Sequence, residues 1–234
     1  MPDYFERPIF ILGLPRSGTS MIAGALKISG AWTGTTVPGG GTANPKGFFE
    51  HIVLREHIIK RVLSETGCDP LGVIKLPPPN LRFETPNLGK VISEIIRLDG
   101  YRFDRPWLYK DVKLTLLWPL FFRAFPSATW VIVRREPRDI INSCLRTSFM
   151  KQHSTDIKYW ENFINEYLLR ISLLKESGAR FLEVQSEDVI AGKLDNMQNM
   201  ISQLGLVFNK SALVDFISPD FWHKASPLAN DARV

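Results

Sequence analysis

The tightest constraint on this chain is a four-residue apolar run, Ile9-Phe10-Ile11-Leu12, that passes directly into Gly13-Leu14-Pro15-Arg16-Ser17-Gly18-Thr19-Ser20. Unbroken apolar residues without polar alternation mark a strand buried on both faces, as in a parallel sheet. From Thr19 the pattern becomes helical, with Met21, Ile22, Ala25, Leu26 and Ile28 on one face. Strand, glycine-bearing turn and helix in that order gather backbone N–H groups and the positive end of a helix dipole around the turn, which makes an anion site. Gly18 lets the backbone come close to an oxyanion. Ser17, Thr19 and Ser20 add hydroxyl donors, and Arg16 adds a fixed charge. A plain turn capped by Ser17 or Thr19 needs no such combination.

The rest of the chain alternates the same two patterns. A loop rich in glycine and proline runs from Gly30 to Gly47, and helical periodicity resumes from Phe49 to about Leu63. Leu88–Leu98, Leu114–Phe125, Tyr159–Glu176 and Leu194–Leu204 read as helices. Trp107–Tyr109, Thr129–Val133 and Arg180–Val184 read as strands, and Pro137 stands where a helix begins. Strands alternating with helices predict a single-domain, three-layer α/β/α fold with a mainly parallel sheet. The expected core spans about 8–208, followed by a tail over 209–234.

A chain of 234 residues supports a core of this kind without staples. Cys68 and Cys144 are too few for a disulfide framework and too far apart for a zinc knuckle, so no metal is implied and a reducing compartment is the simpler expectation. Arg16 interrupts the most apolar stretch, Ile9–Ile28, which argues against a membrane span. With Asp3 and Glu6 ahead of that stretch, no signal peptide is expected, and a cytoplasmic protein is. The excess of 29 basic over 24 acidic residues points to an anionic partner. The basic residues group at ligand scale rather than in a stripe, which argues against nucleic acid.

Arg134, Arg135 and Arg138 cluster where the strand over Thr129–Val133 stops, and Ser143 follows on the next helix. Ligands of open α/β sheets bind at the carboxyl ends of the strands, so both motifs fall on one sheet edge. Gly13 and Gly18 have P-loop spacing, but Thr19 stands where a nucleotidase carries its lysine. A P-loop kinase or NTPase is therefore the second reading, and a non-catalytic nucleotide-binding protein the third.

These segments, in this order, resemble the two cofactor motifs of sulfotransferases that use 3′-phosphoadenosine 5′-phosphosulfate, PAPS. Asn44-Pro45-Lys46-Gly47-Phe48-Phe49-Glu50, Lys110-Asp111-Val112-Lys113, Ser186-Glu187-Asp188-Val189 and Leu204-Gly205-Leu206 resemble further segments of the bacterial-type members. The resemblance implies a P-loop-like topology. It also implies a sulfuryl group moved in line from PAPS to a small-molecule, carbohydrate or peptide acceptor, leaving PAP. Pro15, Arg16, Ser17, Gly18, Thr19 and Ser20 would grip the 5′-phosphosulfate, with Arg16 also steadying charge on the leaving phosphate. Arg135 and Ser143 would hold the 3′-phosphate. The general base by this resemblance is Glu50, with His51 second and His57 third, while Val112 stands where cytosolic members place a histidine. Lys110 would bind the sulfonate. Ser186 replaces the family's usual tyrosine and Met21 its adenine-stacking tryptophan. Trp32 is the candidate acceptor contact or lid, Trp118, Phe121 and Phe122 are read as core, and Phe221-Trp222-His223 would fold over the site or dock the tail.

Overall fold

The computed structural model describes residues 5–39 and 44–217. Phe221-Trp222-His223 and the loop glycines Gly40 and Gly41 lie outside the described residues. Four strands, β1 (Ile9–Gly13), β2 (Leu108–Lys110), β3 (Thr129–Arg134) and β4 (Arg180–Gln185), form one sheet in the order β2-β1-β3-β4. Every pairing is parallel. Side chains alternate across β1. Phe10 and Leu12 enter one buried layer with Trp130 and Ile132, and Ile9 and Ile11 enter the other with Val131 and Val133. Burial on both faces is why these strands read as continuous apolar runs.

Helices cover both faces. α1 (Thr19–Ile28), α10 (Asp195–Gln203) and α11 (Lys210–Phe216) pack on the layer containing Ile11 and Val131. The opposite layer, around Phe10 and Trp130, receives α4 (Leu88–Leu98), α5 (Leu114–Ala124), α6 (Pro137–Arg146) and α8 (Ile157–Glu176). The segment before them is α2 (Ile52–Leu54), a π-helical turn over Arg55–Ile59, and α3 (Lys60–Glu65). Two short helices, α7 (Ser148–Lys151) and α9 (Ser186–Ile190), complete the set among the described residues.

The chain leaves β1 toward α1 on one face and leaves the adjacent β3 toward α6 on the other. Neighbouring strands whose connections part in this way open a crevice at their carboxyl ends, where such sheets bind ligands. The first turn and the Arg134–Arg138 segment meet there.

The helix expected from Phe49 begins later. The segment over 30–47 is pinned at both ends. Trp32 N–H donates to Pro106 O at 2.9 Å, and Leu108 N–H donates to Trp32 O at 2.8 Å, extending the sheet beyond β2. Val37 N–H donates to Glu50 O at 2.8 Å, and Ile52 N–H donates to Thr35 O at 3.0 Å. That pairing, with Phe49 at φ +57°, keeps residues 48–51 out of the helix and delays the helix predicted from Phe49 until Ile52. The segment expected as tail from 209 begins with α11. No described helix is long and apolar enough to cross a membrane.

Candidate active site

The turn after β1 is built by close approach. A Cβ on Gly13 would lie 2.7 Å from Val133 O and 2.9 Å from Ser17 Oγ, so no other residue fits under the loop. Thr115, fully buried on α5, locks it: its Oγ1 donates to Gly13 O at 2.9 Å and accepts from Gly13 N–H at 3.2 Å. Gly18, at φ +93°, begins α1, and no side chain caps the helix, so Ser17 and Thr19 are not spent as caps. Ser17 is wholly buried and its Oγ has no hydrogen-bond partner among the described residues. A buried hydroxyl without a partner costs about 1–3 kcal/mol, an expense native folds accept at binding sites.

Arg16 sits in the left-handed region at φ +69°. Such strain persists only where the surroundings impose it. Arg135 Nη1 donates to Arg16 O at 2.7 Å, and Arg16 Nε donates to Ser143 Oγ at 2.9 Å. Arg16, assigned to one phosphate grip, is therefore in direct contact with Arg135 and Ser143, assigned to the other. Burial lowers the affinity of both guanidiniums for their protons. Asp139 and Glu187 counter this at Arg135, while Arg16 adds to the lowering there. Two partly desolvated like charges side by side favour an anion between them. From below, Ser186 Oγ donates to Arg134 O at 2.9 Å, and Glu136 N–H donates to Glu187 Oε1 at 2.9 Å, fixing the course of the chain through Arg135.

The second group lies at the end of β2. Lys110 Nζ donates to Glu50 Oε1 at 2.9 Å, to Ser20 Oγ at 3.1 Å and to Phe48 O at 3.2 Å. Asn44 Nδ2 donates to Ser20 Oγ at 3.2 Å. Glu50 Oε2 faces Arg55 Nε at 3.1 Å. Lys110 and Glu50 are both buried. Arg55 opens the π-helical turn, a local widening of the helix that recurs at functional sites. A lone arginine on an amphipathic helix reads as solvent-facing in the sequence, and only the fold brings it to Glu50.

Both groups line one cavity of about 300 Å³, with Met21, Ile190 and Phe216 among its apolar walls at the α1 face and Leu71, Val73 and Met150 among those at the other. Pro15, Arg16, Gly18, Thr19, Ser20, Glu50, Lys110, Arg135 and Ser143 all contribute to the lining. His51 does not. Its Nδ1 accepts from Leu54 N–H at 3.4 Å, capping α2, and its Nε2 lies 3.2 Å from Asp99. Burial holds its imidazole below the ordinary range, against the pull of Asp99. His57 also lies outside the lining. Trp32, read as an acceptor contact, instead packs on Tyr101 at 5.0 Å and His51 at 6.1 Å on the sheet edge, because its backbone is taken up by β2. Phe121 is in the core, and Trp118 and Phe122 pack against it.

Solved structures similar to this one include bacterial sulfotransferases. The sulfotransferase domain from the Synechococcus PCC 7002 olefin synthase matches with a TM-score of 0.56 at 19% identity, over 92% of this chain and 78% of that one. The sulfotransferase domain from the curacin biosynthetic pathway gives 0.54 at 14%, over 92% and 79%. The sulfotransferase from Alicyclobacillus acidocaldarius gives 0.51 at 18%, over 94% and 87%. No family model and no curated protein matches the chain. The fold is that of these sulfotransferases, as the resemblance implied.

Proposed function

We propose that the chain is a sulfotransferase that moves a sulfuryl group from PAPS to an acceptor hydroxyl or amine. The observation that carries this reading is the contact of Arg16, Arg135 and Ser143 in one cavity with the buried Lys110–Glu50 pair, on the sulfotransferase fold. The partnerless buried Ser17 hydroxyl fits an oxyanion at the loop, and the adjacent guanidiniums fit two phosphate groups of one ligand.

When bound, PAPS supplies a sulfuryl group on a leaving 5′-phosphate. Arg16, Ser17, Gly18, Thr19 and Ser20 would hold that phosphosulfate, and Arg135 and Ser143 the 3′-phosphate. Met21 and Ile190 would offer the adenosine apolar surface, and the lining near Glu50 would receive the acceptor. Lys110 puts a fixed positive charge beside Ser20, where it steadies the sulfonate. Glu50 accepts the acceptor proton. Its two oxygens face Lys110 and Arg55, which fix the carboxylate's direction, and each oxygen keeps a further lone pair for the proton. His51 is spent on capping α2 and on Asp99 and is not proposed as the base.

The kinase or NTPase reading loses ground at two residues. Thr19 occupies the lysine position, and the Lys110 ammonium already occupies the Ser20 hydroxyl that a P-loop enzyme offers to magnesium. The test is transfer of labelled sulfate from PAPS to a panel of phenols, alcohols, amines, sugars and peptides, read by mass spectrometry. A sulfated product with release of PAP is expected. ATP hydrolysis with no sulfate transfer would overturn the proposal.

A further inference from the structure

The part of the cavity beyond Glu50 has a distinct chemistry. The cavity's apolar lining includes Phe48, Leu71, Val73, Val112, Phe149 and Met150, of which Val73 and Met150 belong to the layer opposite that of Met21, Ile190 and Phe216. The cavity's hydroxyl and amide side chains, Thr19, Ser20, Asn44 and Ser143, belong to the phosphate-grip loop, the Lys110 cluster and α6. Ser20 and Asn44 are already bonded to one another, and Ser143 to Arg16. The two cations of the acceptor end are tied to carboxylates. Arg55 faces Glu50 at 3.1 Å and Glu56 at 3.4 Å, and Lys113 faces Asp111 at 2.9 Å. An acceptor here meets apolar surface, the Glu50 carboxylate, and two cations already paired with carboxylates.

The wall is also held in place. Tyr167 Oη donates to Gly72 O at 2.9 Å and Tyr159 Oη donates to Val73 O at 3.0 Å, so α8 fixes the backbone on which Leu71 and Val73 stand. Val73 and Met150 are buried, while Leu71 is 40% and Phe149 47% exposed at the mouth. Exposed apolar side chains at a cavity mouth, leading to buried ones within, suit a ligand that loses water as it enters. A polyhydroxylated ligand would leave its hydroxyls facing this wall unpaired, at on the order of tenfold in affinity for each.

We infer, on the sulfuryl-transfer reading above, that the acceptor is an apolar alcohol or phenol, with its hydroxyl at Glu50 and its body against the Leu71–Val73 wall, and not a sugar. The test titrates the PAP-loaded protein with 2-naphthol, 1-octanol, glucose and inositol, following heat and naphthol fluorescence, with thermal protection by PAP measured first. The inference predicts that 2-naphthol and 1-octanol bind on the order of 100-fold more tightly than either polyol. Leu71→Asp, at the exposed mouth, should weaken 2-naphthol about tenfold or more by placing a carboxylate on the apolar wall. Equal or tighter binding of glucose or inositol, no binding of either apolar alcohol, or 2-naphthol binding untouched by Leu71→Asp overturns the inference while the PAP result stands. Failure of PAP itself to protect the protein overturns the underlying reading instead.

Discussion

Replacing Glu50 by glutamine separates the proposed chemistry from the binding it depends on. The amide keeps the side chain's shape and an oxygen for Lys110, now 2.9 Å from Glu50 Oε1. Where Glu50 Oε2 now faces Arg55 Nε at 3.1 Å, the amide instead turns a donor toward a donor. The lost charge-assisted contact costs about 1–3 kcal/mol of stability, and at about 2–4 °C per kcal/mol the Tm falls by several degrees while the fold survives. Removal of one negative charge from the cavity leaves the affinity for anionic PAP unchanged or slightly higher. The transfer rate falls by roughly 10²- to 10⁴-fold, the usual contribution of a positioned general base. Single-turnover transfer of labelled sulfate from PAPS, run beside a PAP titration of the same variant, gives both quantities. A rate within tenfold of the unmutated protein, with PAP still bound, refutes Glu50 as the base. Loss of PAP binding together with activity makes the Lys110–Glu50–Arg55 group structural and refutes the reasoning differently.

Thr115→Val should destabilise the protein by roughly 1–3 kcal/mol for each of the two Gly13 backbone groups it leaves buried without a partner. Urea unfolding checks this, and an unchanged midpoint contradicts it. His51 gives a pH dependence with a defined sign. Burial holds its folded-state pKa below the ordinary 6.5, so the unfolded chain binds more protons in that window, and stability falls as the pH drops from 6.5 toward the folded value. His51→Gln should flatten the change in urea midpoint between about pH 7 and pH 5. A slope unaltered by that substitution contradicts the assignment.

What the sequence made readable follows from which signals are local. β1, the glycine turn and α1 were legible because a strand buried on both faces excludes polar residues and because Gly13 and Gly18 meet demands of contact and backbone that few residues satisfy. β3 and the arginines after it were legible for the same reason. The order β2-β1-β3-β4 was not, since nothing local says that α5 carries the chain across β1. The pairing of 35–37 with 48–52 was hidden because backbone hydrogen bonds leave no periodicity in a segment rich in glycine and proline. That hidden pairing set His51 where it meets Asp99, and the separate bridge of Trp32 to Trp107 packed Trp32 on Tyr101, although both residues are of types that suggest a site. Glu50 was legible only through the resemblance, and Arg55 not at all, because its significance lies in a π-helical turn that no residue pattern announces.

As proposed, Arg16, Arg135 and Ser143 form a grip for a ligand with phosphate at both ends. Calorimetric titration with PAP, alongside ATP with magnesium, tests it most directly. The unmutated protein should bind PAP more tightly than ATP with magnesium and gain heat stability by mass action. Arg135→Ala should weaken PAP on the order of 30-fold or more, as loss of a buried charged partner does. No binding of PAP by the unmutated protein, or tighter binding of ATP with magnesium, would contradict the claim.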